Sequence, residues 1–399
     1  MKESIFNIKV KVNDNNYIYN SKNNGIIQLN DKDLLSKEDI TYLLNEGYYV
    51  EDKHNEIEEL VKEVNEAITK DSEELLLTIS MTQKCNFSCV YCYQDRKEEN
   101  LDFDNANEIL EVVREVFDNE KQIKRLKIHF FGGEPLLNFE VLSFLDKGFK
   151  DISNNYNVEY KSYLTTNGSM LNEDILSDIG FEGIQLSFDG LEDNHNKIRK
   201  SFKFKFEDTV KLIGTILKYC EKIDIRFNVC EENKKDLLPF IDFIMSKVDS
   251  KKINFHIAQT IKFHETDKFN MLSFEEYCTL NLKARIKLYK YGKKSLLPIR
   301  LTYGCPFING HAISISPTLQ LNLCDGNTEI LQRKFCYSSI KHRKEYKVEE
   351  ECLKCEVLPL CLGGCIANKK FRSRCITEKN IIKQLIAEYI KNNMIDIAE

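Results

Sequence analysis

Little in this chain interrupts it. Proline occurs only 6 times in 399 residues and no long Gly/Ser tract is present, so no flexible linker or low-complexity segment is expected. No apolar run approaches the ~20 residues that a membrane span needs. The start, Met1-Lys-Glu-Ser-Ile, leads into alternating polar and apolar residues rather than the apolar stretch of an export signal, which predicts a cytoplasmic protein. Basic residues are not in excess: 57 Lys+Arg stand against 63 Asp+Glu, net charge -6, which gives no support to a nucleic-acid binder. With 42% hydrophobic and 30% charged residues, the chain reads as globular, with room for about two or three domains.

Cysteine is what the chain has in quantity. Fourteen Cys without an export signal argue for metal rather than disulfides. They crowd most densely between Cys305 and Cys375. Earlier, Cys85, Cys89 and Cys92 stand at C-x3-C-x2-C spacing after the apolar run Leu75–Met81. Four-iron clusters normally take one Cys per iron, so three thiolates leave one iron open to another ligand. A zinc site is the alternative, but zinc prefers paired C-x2-C knuckles with a fourth Cys or His close by. After Cys92 no Cys or His occurs before His129.

Periodicity predicts an α/β protein in four parts. Residues 1–72 form a small α+β unit. Its short strands lie near Ile5–Val12, Asn16–Tyr19, Gly25–Leu29 and Tyr48–Val50. One helix follows Ser36 and another spans Ile57–Ile68. Residues 73–260 alternate strands and helices in six βα repeats, which argues for a parallel sheet curled into a partial (β/α)6 TIM-like barrel. The strands are Leu75–Met81, Leu126–Phe131, Lys161–Thr166, Gly183–Phe188, Asp224–Val229 and Ile253–Ala258. Residues 261–300 are a helical connector. Residues 301–399 hold the Cys-rich segment and a final amphipathic helix.

In such barrels chemistry sits at the C-terminal ends of the strands. There the sequence places the cysteine triad, Phe131-Gly-Gly-Glu-Pro135, Thr165-Thr-Asn-Gly168 and Ser187-Phe-Asp-Gly190 with Arg199 beyond it. Gly132 and Gly133 are expected to let the backbone approach a ligand. Alternation on the fifth strand puts Arg226 and Asn228 on one face. The text Thr82-Gln-Lys-Cys-Asn-Phe-Ser-Cys-Val-Tyr-Cys-Tyr93, with the Gly-Gly-Glu-Pro turn, resembles the radical S-adenosylmethionine (SAM) enzymes. The resemblance implies that Cys85, Cys89 and Cys92 hold a [4Fe–4S] cluster whose open iron chelates SAM. Gly132, Gly133 and Glu134 would hold the SAM ammonium, Ser187 the ribose and Arg199 the carboxylate. Asn228 would be a further contact, and Tyr91 would pack on the adenine. For Arg199 an ion pair with Glu192 or Asp193 is the alternative reading.

The later cysteines, with C-x2-C-x5-C-x3-C from Cys352 to Cys365, resemble the SPASM domain of radical SAM peptide and protein maturases. That likeness implies two auxiliary [4Fe–4S] clusters. Cys305, Cys324 and Cys365 would hold the first, and Cys352, Cys355, Cys361 and Cys375 the second. A zinc ribbon would account for four of these cysteines but not for seven. Two departures stand out: Leu319 occupies a position where the family has glycine, and residues 295–304 contain no Cys. The first auxiliary cluster then has an open iron, or Cys336 or Cys278 completes it. Asp325 matches the catalytic aspartate of sulfatase maturases, with a turn cap as the alternative. The leading unit looks like a winged-helix or peptide-recognition element, or else a cap on the barrel.

The whole resembles maturases of ribosomally made (RiPP) peptides and anaerobic sulfatase maturases. It implies that reductive SAM cleavage gives a 5′-deoxyadenosyl radical that abstracts hydrogen from a precursor peptide, with Cys thioether crosslinking as the expected outcome. A formylglycine-forming sulfatase maturase, a carbon–carbon cyclase and a non-enzymatic Fe–S redox sensor or scaffold are the alternatives. The expected partners are a precursor peptide and a low-potential donor such as flavodoxin or ferredoxin, without nucleic acid or membrane.

Overall fold

The computed structural model describes all residues except 30–35, 71–72, 95–96, 263–268, 294–295, 303–304, 308–311, 333, 341–344, 365–373 and 394–399. Cys365 therefore lies outside the described residues. Contacts divide the chain into two units. One comprises Met1–Lys70, Leu288–Asn309 and Lys344–Glu399, and the other Asp71–Lys287 and Gly310–Arg343. This division cuts through the 301–399 segment. Cys324 and Cys336 fall in the second unit, whereas Cys305, Cys352, Cys355, Cys361 and Cys375 fall in the first.

In the first unit, β1 (Lys2–Glu3) pairs with β5 (Tyr49–Val50), and β2 (Asn7–Val12), β3 (Asn15–Asn20) and β4 (Ile26–Leu29) form an antiparallel meander. Helix α1 (Lys37–Asn45) starts at a Ser36 capping box, and α2 (Glu56–Lys70) follows. Ile18, Leu43 and Tyr48 close a small cluster of their own, and the larger clusters draw on residues late in the chain. Phe6, Leu60, Val64 and Ile68 pack with Tyr346, Leu358 and Leu362. Ile8, Val12, Tyr17 and Tyr19 pack with Val357, Ile386 and Ile390. Early and late segments of the chain thus share these two clusters. Polar bonds repeat the pairing: Asn65 Nδ2 donates to the Tyr346 carbonyl at 3.2 Å, and Tyr346 N donates back to Asn65 Oδ1 at 2.8 Å.

The second unit is built on a nine-stranded sheet in the order β11-β10-β9-β8-β7-β6-β12-β13-β14. The parallel strands are β6 (Glu74–Ser80), β7 (Arg125–Phe131), β8 (Glu159–Thr166), β9 (Gly183–Phe188), β10 (Ile223–Val229) and β11 (Ile253–Gln259). Between them run α3 (Phe103–Asn119), α4 (Phe139–Tyr156), α5 (Glu173–Ile179), α6 (Glu192–Arg199), α7 (Phe206–Ile216) and α8 (Leu237–Lys247), with α9 (Phe274–Lys290) after the last strand. Alternation did not predict α6, because its residues are nearly all polar and present no apolar stripe.

The sheet also runs further than the repeats predict. β12 (Ala312–Ile315) adds a seventh parallel strand beside β6, and β13 (Leu321–Cys324) and β14 (Asn327–Gln332) continue it antiparallel. Leu319, in the turn from β12 to β13, has φ +60° and is 2% exposed. The backbone there keeps a left-handed conformation that favours glycine, and burial of the leucine side chain offsets the strain. Short elements α10 (Tyr337–Ile340) and α11 (Leu358–Cys361) and the long α12 (Arg374–Asn393) complete the chain.

Parallel strands are usually apolar on both faces. Here only one face is: Leu126, Ile128 and Phe130 of β7 are fully buried, and Arg125, Lys127, His129 and Phe131 alternate with them half-exposed. Register carries the polar face across the sheet, matching Thr78 with His129 and Ser187 with Arg226 and then His256. A polar inner face is suited to ligand rather than to packing.

Candidate active site

The loop after β6 carries Cys85, Cys89 and Cys92, all with free thiols. It is held by main-chain bonds to two different elements. Ser88 N donates to the Arg199 carbonyl at 3.3 Å and Val90 N to the Ile198 carbonyl at 3.0 Å, which ties the loop to the end of α6. On the other side, Gly133 N donates to the Thr82 carbonyl and Glu134 N to the Lys84 carbonyl, both at 2.8 Å. A Cβ on Gly132 would lie 2.4 Å from the Thr82 carbonyl oxygen, and one on Gly133 would lie 2.1 Å from that of Lys84. The two glycines therefore admit the backbone leading into Cys85; the close approach expected of them is to protein as well as to any ligand. Burial pushes the Cys89 thiol up to about 12 and raises Cys85 as well. Cluster loading has to displace those protons. Among the described residues no three His, Cys, Asp or Glu side chains converge as they would round a single ion.

Glu134 is fully buried. Its carboxylate accepts from Thr166 Oγ1 (2.8 Å), Asn167 N (2.8 Å) and Leu136 N (3.1 Å), while burial raises its pKa. Asn167 in turn donates to Asn86 Oδ1 at 2.8 Å, inside the cysteine loop. The Thr165–Gly168 turn thus reaches the triad through Asn167 and Glu134.

Arg199 pairs with neither Glu192 nor Asp193. Its Nη1 donates to Asp189 Oδ2 at 3.2 Å, and both side chains are buried. Asp189 comes from the Ser187-Phe-Asp-Gly190 turn and is a hub. Tyr91 OH donates to Oδ2 at 2.6 Å and Asn228 Nδ2 to Oδ1 at 3.1 Å. Asn228 also accepts from Arg226 Nε at 2.9 Å. Burial works against the Arg199 charge, yet Cys89, Tyr91 and Asp189 together hold its pKa above the usual range. The Arg199 Nε is buried without a partner. His195, also buried, accepts a long 3.4 Å bond from Asp189 N; burial, aided by Arg199, holds its pKa well below the usual value. Of the residues predicted for the cofactor, the structure joins Tyr91, Arg199 and Asn228 through Asp189, which sequence reasoning named only as part of a turn.

Asp325 follows Cys324 at the end of β13. Thr78 Oγ1 donates to its Oδ2 at 3.3 Å, and His129 Nδ1 lies 3.7 Å from the same oxygen. Its Oδ1 is buried without a partner. Tyr93, the residue after Cys92, donates its hydroxyl to the Asp325 carbonyl at 2.6 Å. The cysteine loop and the aspartate are therefore one hydrogen bond apart. His129 Nε2 meets Thr165 Oγ1 at 2.9 Å. Sequence reasoning passed over His129, Thr78 and Tyr93. His129 lies on the polar face of β7, and the pairing of β12 with β6 brings Asp325 beside it.

Two of the buried polar atoms without partners, Arg199 Nε and Asp325 Oδ1, and three thiols on one anchored loop fit a cluster with an open position and a polar ligand beside it. In the other unit Cys352 ends a 3-10 turn (Glu350–Cys352), Cys361 ends α11, and Cys352 and Cys355 flank the Phe6–Leu358 core. Burial raises Cys361 to about 11.

Residues 79–244 match the Radical SAM superfamily, whose members use a [4Fe–4S] cluster and SAM. The chain is 29% identical over 261 residues to the uncharacterized protein MJ0907 of Methanocaldococcus jannaschii, covering 63% of this chain and 87% of that one. It is 25% identical over 378 residues to the cysteine-type anaerobic sulfatase-maturating enzyme of Clostridium perfringens, covering 79% of this chain and 95% of the relative. A shorter match, 32% over 126 residues, covers 29% of this chain and 35% of a probable GTP 3′,8-cyclase of Methanothermobacter marburgensis. Two solved structures share the fold. Native anSMEcpe with bound AdoMet and Cp18Cys peptide has TM-score 0.60 at 20% identity, covering 82% of this chain and 99% of that one. Streptococcus suis SuiB bound to precursor peptide SuiA has TM-score 0.52 at 15% identity, covering 92% and 96%.

Proposed function

With a radical SAM domain over residues 79–244 as premise, we propose that the chain modifies a peptide, joining a Cys sulfur to carbon in a thioether crosslink. When bound, the [4Fe–4S] cluster and SAM would supply a 5′-deoxyadenosyl radical that takes a hydrogen atom from substrate. The rest is the work of this chain's side chains. Cys85, Cys89 and Cys92 would hold three irons. Glu134 and the Gly132–Gly133 turn would meet the SAM ammonium, Ser187 and Asn228 its ribose, and the free Nε edge of Arg199 its carboxylate. Tyr91, tied through Asp189 to the same network, would form the wall against the adenine. As the Cys sulfur closes on the carbon that lost its hydrogen atom, Asp325 Oδ1 would take the thiol proton, with Thr78 holding the other oxygen, and the auxiliary Fe–S sites would supply the acceptor for the remaining electron.

The observation that carries this reading is the Tyr93–Asp325 bond, which sets a carboxylate with an unengaged oxygen beside the triad. A peptide substrate is supported by likeness: one relative is a sulfatase-maturating enzyme, and two proteins of the same fold bind peptides. The SPASM-like cysteines, Cys305, Cys324 and Cys365 with Cys352, Cys355, Cys361 and Cys375, would hold two auxiliary clusters. A formylglycine-forming activity is the second reading, favoured by the 95% coverage of the sulfatase-maturating relative. The test is anaerobic incubation of the reconstituted chain with SAM, dithionite and Cys-containing peptides. Release of 5′-deoxyadenosine with a peptide that loses two hydrogens and keeps its sulfur supports crosslinking. Loss of sulfur with a new aldehyde supports the second reading, and no 5′-deoxyadenosine overturns both.

A further inference from the structure

We propose that residues 197–205 form the docking face for a small acidic protein that delivers single electrons to the cysteine loop. The inference rests on the reading above, which needs one electron for each SAM cleaved. That electron would leave the reduced carrier, which is oxidised by one equivalent, and enter the protein at the Cys85–Cys92 loop.

The segment reads Lys197-Ile-Arg-Lys-Ser-Phe-Lys-Phe-Lys205, with five basic residues and no acidic one, in a chain of net charge -6. Arg199 is used inward, on Asp189. Lys197, Lys200, Lys203 and Lys205 are exposed. Lys205 Nζ reaches the Ser201 carbonyl at 2.7 Å; among the described residues the other three make no ion pair. In their midst Phe202 is 90% exposed, more than any other large apolar side chain among the described residues.

The backbone around it is fixed. Phe204 N donates to Ser201 Oγ at 3.1 Å, Phe206 N to Asn196 Oδ1 at 3.0 Å and Lys205 N to Asp208 Oδ2 at 2.9 Å. Phe202 is therefore held out in water by a built loop, at a hydrophobic cost that a partner would recover. Directly behind this surface lies the cysteine loop. The carbonyls of Ile198 and Arg199 accept from Val90 N and Ser88 N, and the Phe204 ring lies 6.5 Å from that of Phe87.

An aromatic anchor ringed by unpaired lysines suits an acidic protein partner: the ring supplies a central contact and the charges steer the encounter. A bilayer is less well matched. One apolar side chain on a loop offers far less to bury than the face of an amphipathic helix.

The probe is reduced flavodoxin with the reconstituted full chain, compared with dithionite, which needs no docking. Phe202→Ala and the double variant Lys200→Gln/Lys203→Gln should each raise the KM for flavodoxin about tenfold, and the double variant should also flatten its salt dependence. Their dithionite-driven 5′-deoxyadenosine formation should stay within about twofold of the parent, since exposed side chains away from the chemistry contribute little to it. Carbodiimide coupling of flavodoxin carboxylates should map to Lys197, Lys200 or Lys203, a readout that does not need turnover. Cross-links elsewhere, or an unchanged flavodoxin KM in both variants, overturns the proposal. So does binding of the parent to anionic phospholipid vesicles that Phe202→Ala abolishes. Should the parent form no 5′-deoxyadenosine with dithionite, the functional reading falls, while the cross-link map still decides the docking face.

Discussion

Two cysteine-bearing regions of this molecule are built in opposite ways. The Cys85–Cys92 loop is fixed by polar main-chain bonds and glycine contacts: four N–H donors tie it to α6 and to the turn after β7, and a methyl group at Gly133 would meet Lys84 O at 2.1 Å. The Cys352–Cys361 stretch takes ties of this kind too, Leu301 N to the Pro359 carbonyl at 2.9 Å and Ser21 Oγ to that of Glu356 at 2.6 Å, but it also rests on an apolar core. Its 3-10 turn and α11 are short, and they pack on the core of Phe6, Leu60 and Val64 against Leu358 and Leu362. The first arrangement fixes position to fractions of an ångström because hydrogen bonds are directional. The second fixes proximity with more tolerance, because burial is non-directional. Metal would then complete a preformed loop in one region and contribute to folding in the other.

The largest effect that tests this contrast is loss of a loop ligand. Cys89→Ala should abolish 5′-deoxyadenosine formation, whereas Cys355→Ala should leave it measurable while product and iron content fall. Equal loss in both would erase the distinction. Next is Asp325→Asn, which removes the proposed proton acceptor but keeps the shape. Product should drop about 10²–10⁴-fold while SAM cleavage continues, seen as 5′-deoxyadenosine in excess over product. If cleavage and product fall together, the Asp325 side chain serves the inner face of the sheet, through Thr78 and His129, rather than the substrate.

The barrel was legible because its signal is local. Leu126, Ile128 and Phe130 alternate with polar residues, and Gly183–Phe188 was bounded correctly. The triad and the Gly-Gly-Glu turn were legible because their spacing is tight. What was not legible joins residues far apart in the chain. Asp189 gathers Tyr91, Arg199 and Asn228 from three elements, and His129 meets Asp325 only because β12 pairs with β6 across more than two hundred residues of sequence. The union of residues 1–70 with the C-terminal segment was missed for the same reason. Apolar positions such as Phe6 and Leu358 show that they will be buried, not against what.

That union gives the third prediction. Phe6→Ala should destabilise the first unit by about 3–5 kcal/mol through the cavity it leaves. Hydrogen exchange should rise in α2, α11 and α12 together, with the barrel strands unaffected. Exchange confined to residues 1–70 would show instead that the N-terminal segment folds by itself.

The smallest effect belongs to the polar region and runs through pH. His195 is neutral in the fold, since burial and Arg199 hold its pKa well below the unfolded value of about 6.5. A base whose folded pKa is depressed binds its proton in the unfolded chain first. Stability is therefore complete above about pH 6.5 and declines as pH falls below it, by at most about 1.4 kcal/mol per unit. His195→Gln should remove that slope from the second unit between about pH 6.5 and 5, measured as the midpoint of denaturant unfolding. The variant should be less stable than the parent at pH 7.5, because the ring packs between Phe188 and Phe206, and the gap should narrow on acidification. A gap that stays constant would mean that His195 takes up its proton inside the fold, which the buried guanidinium beside it opposes.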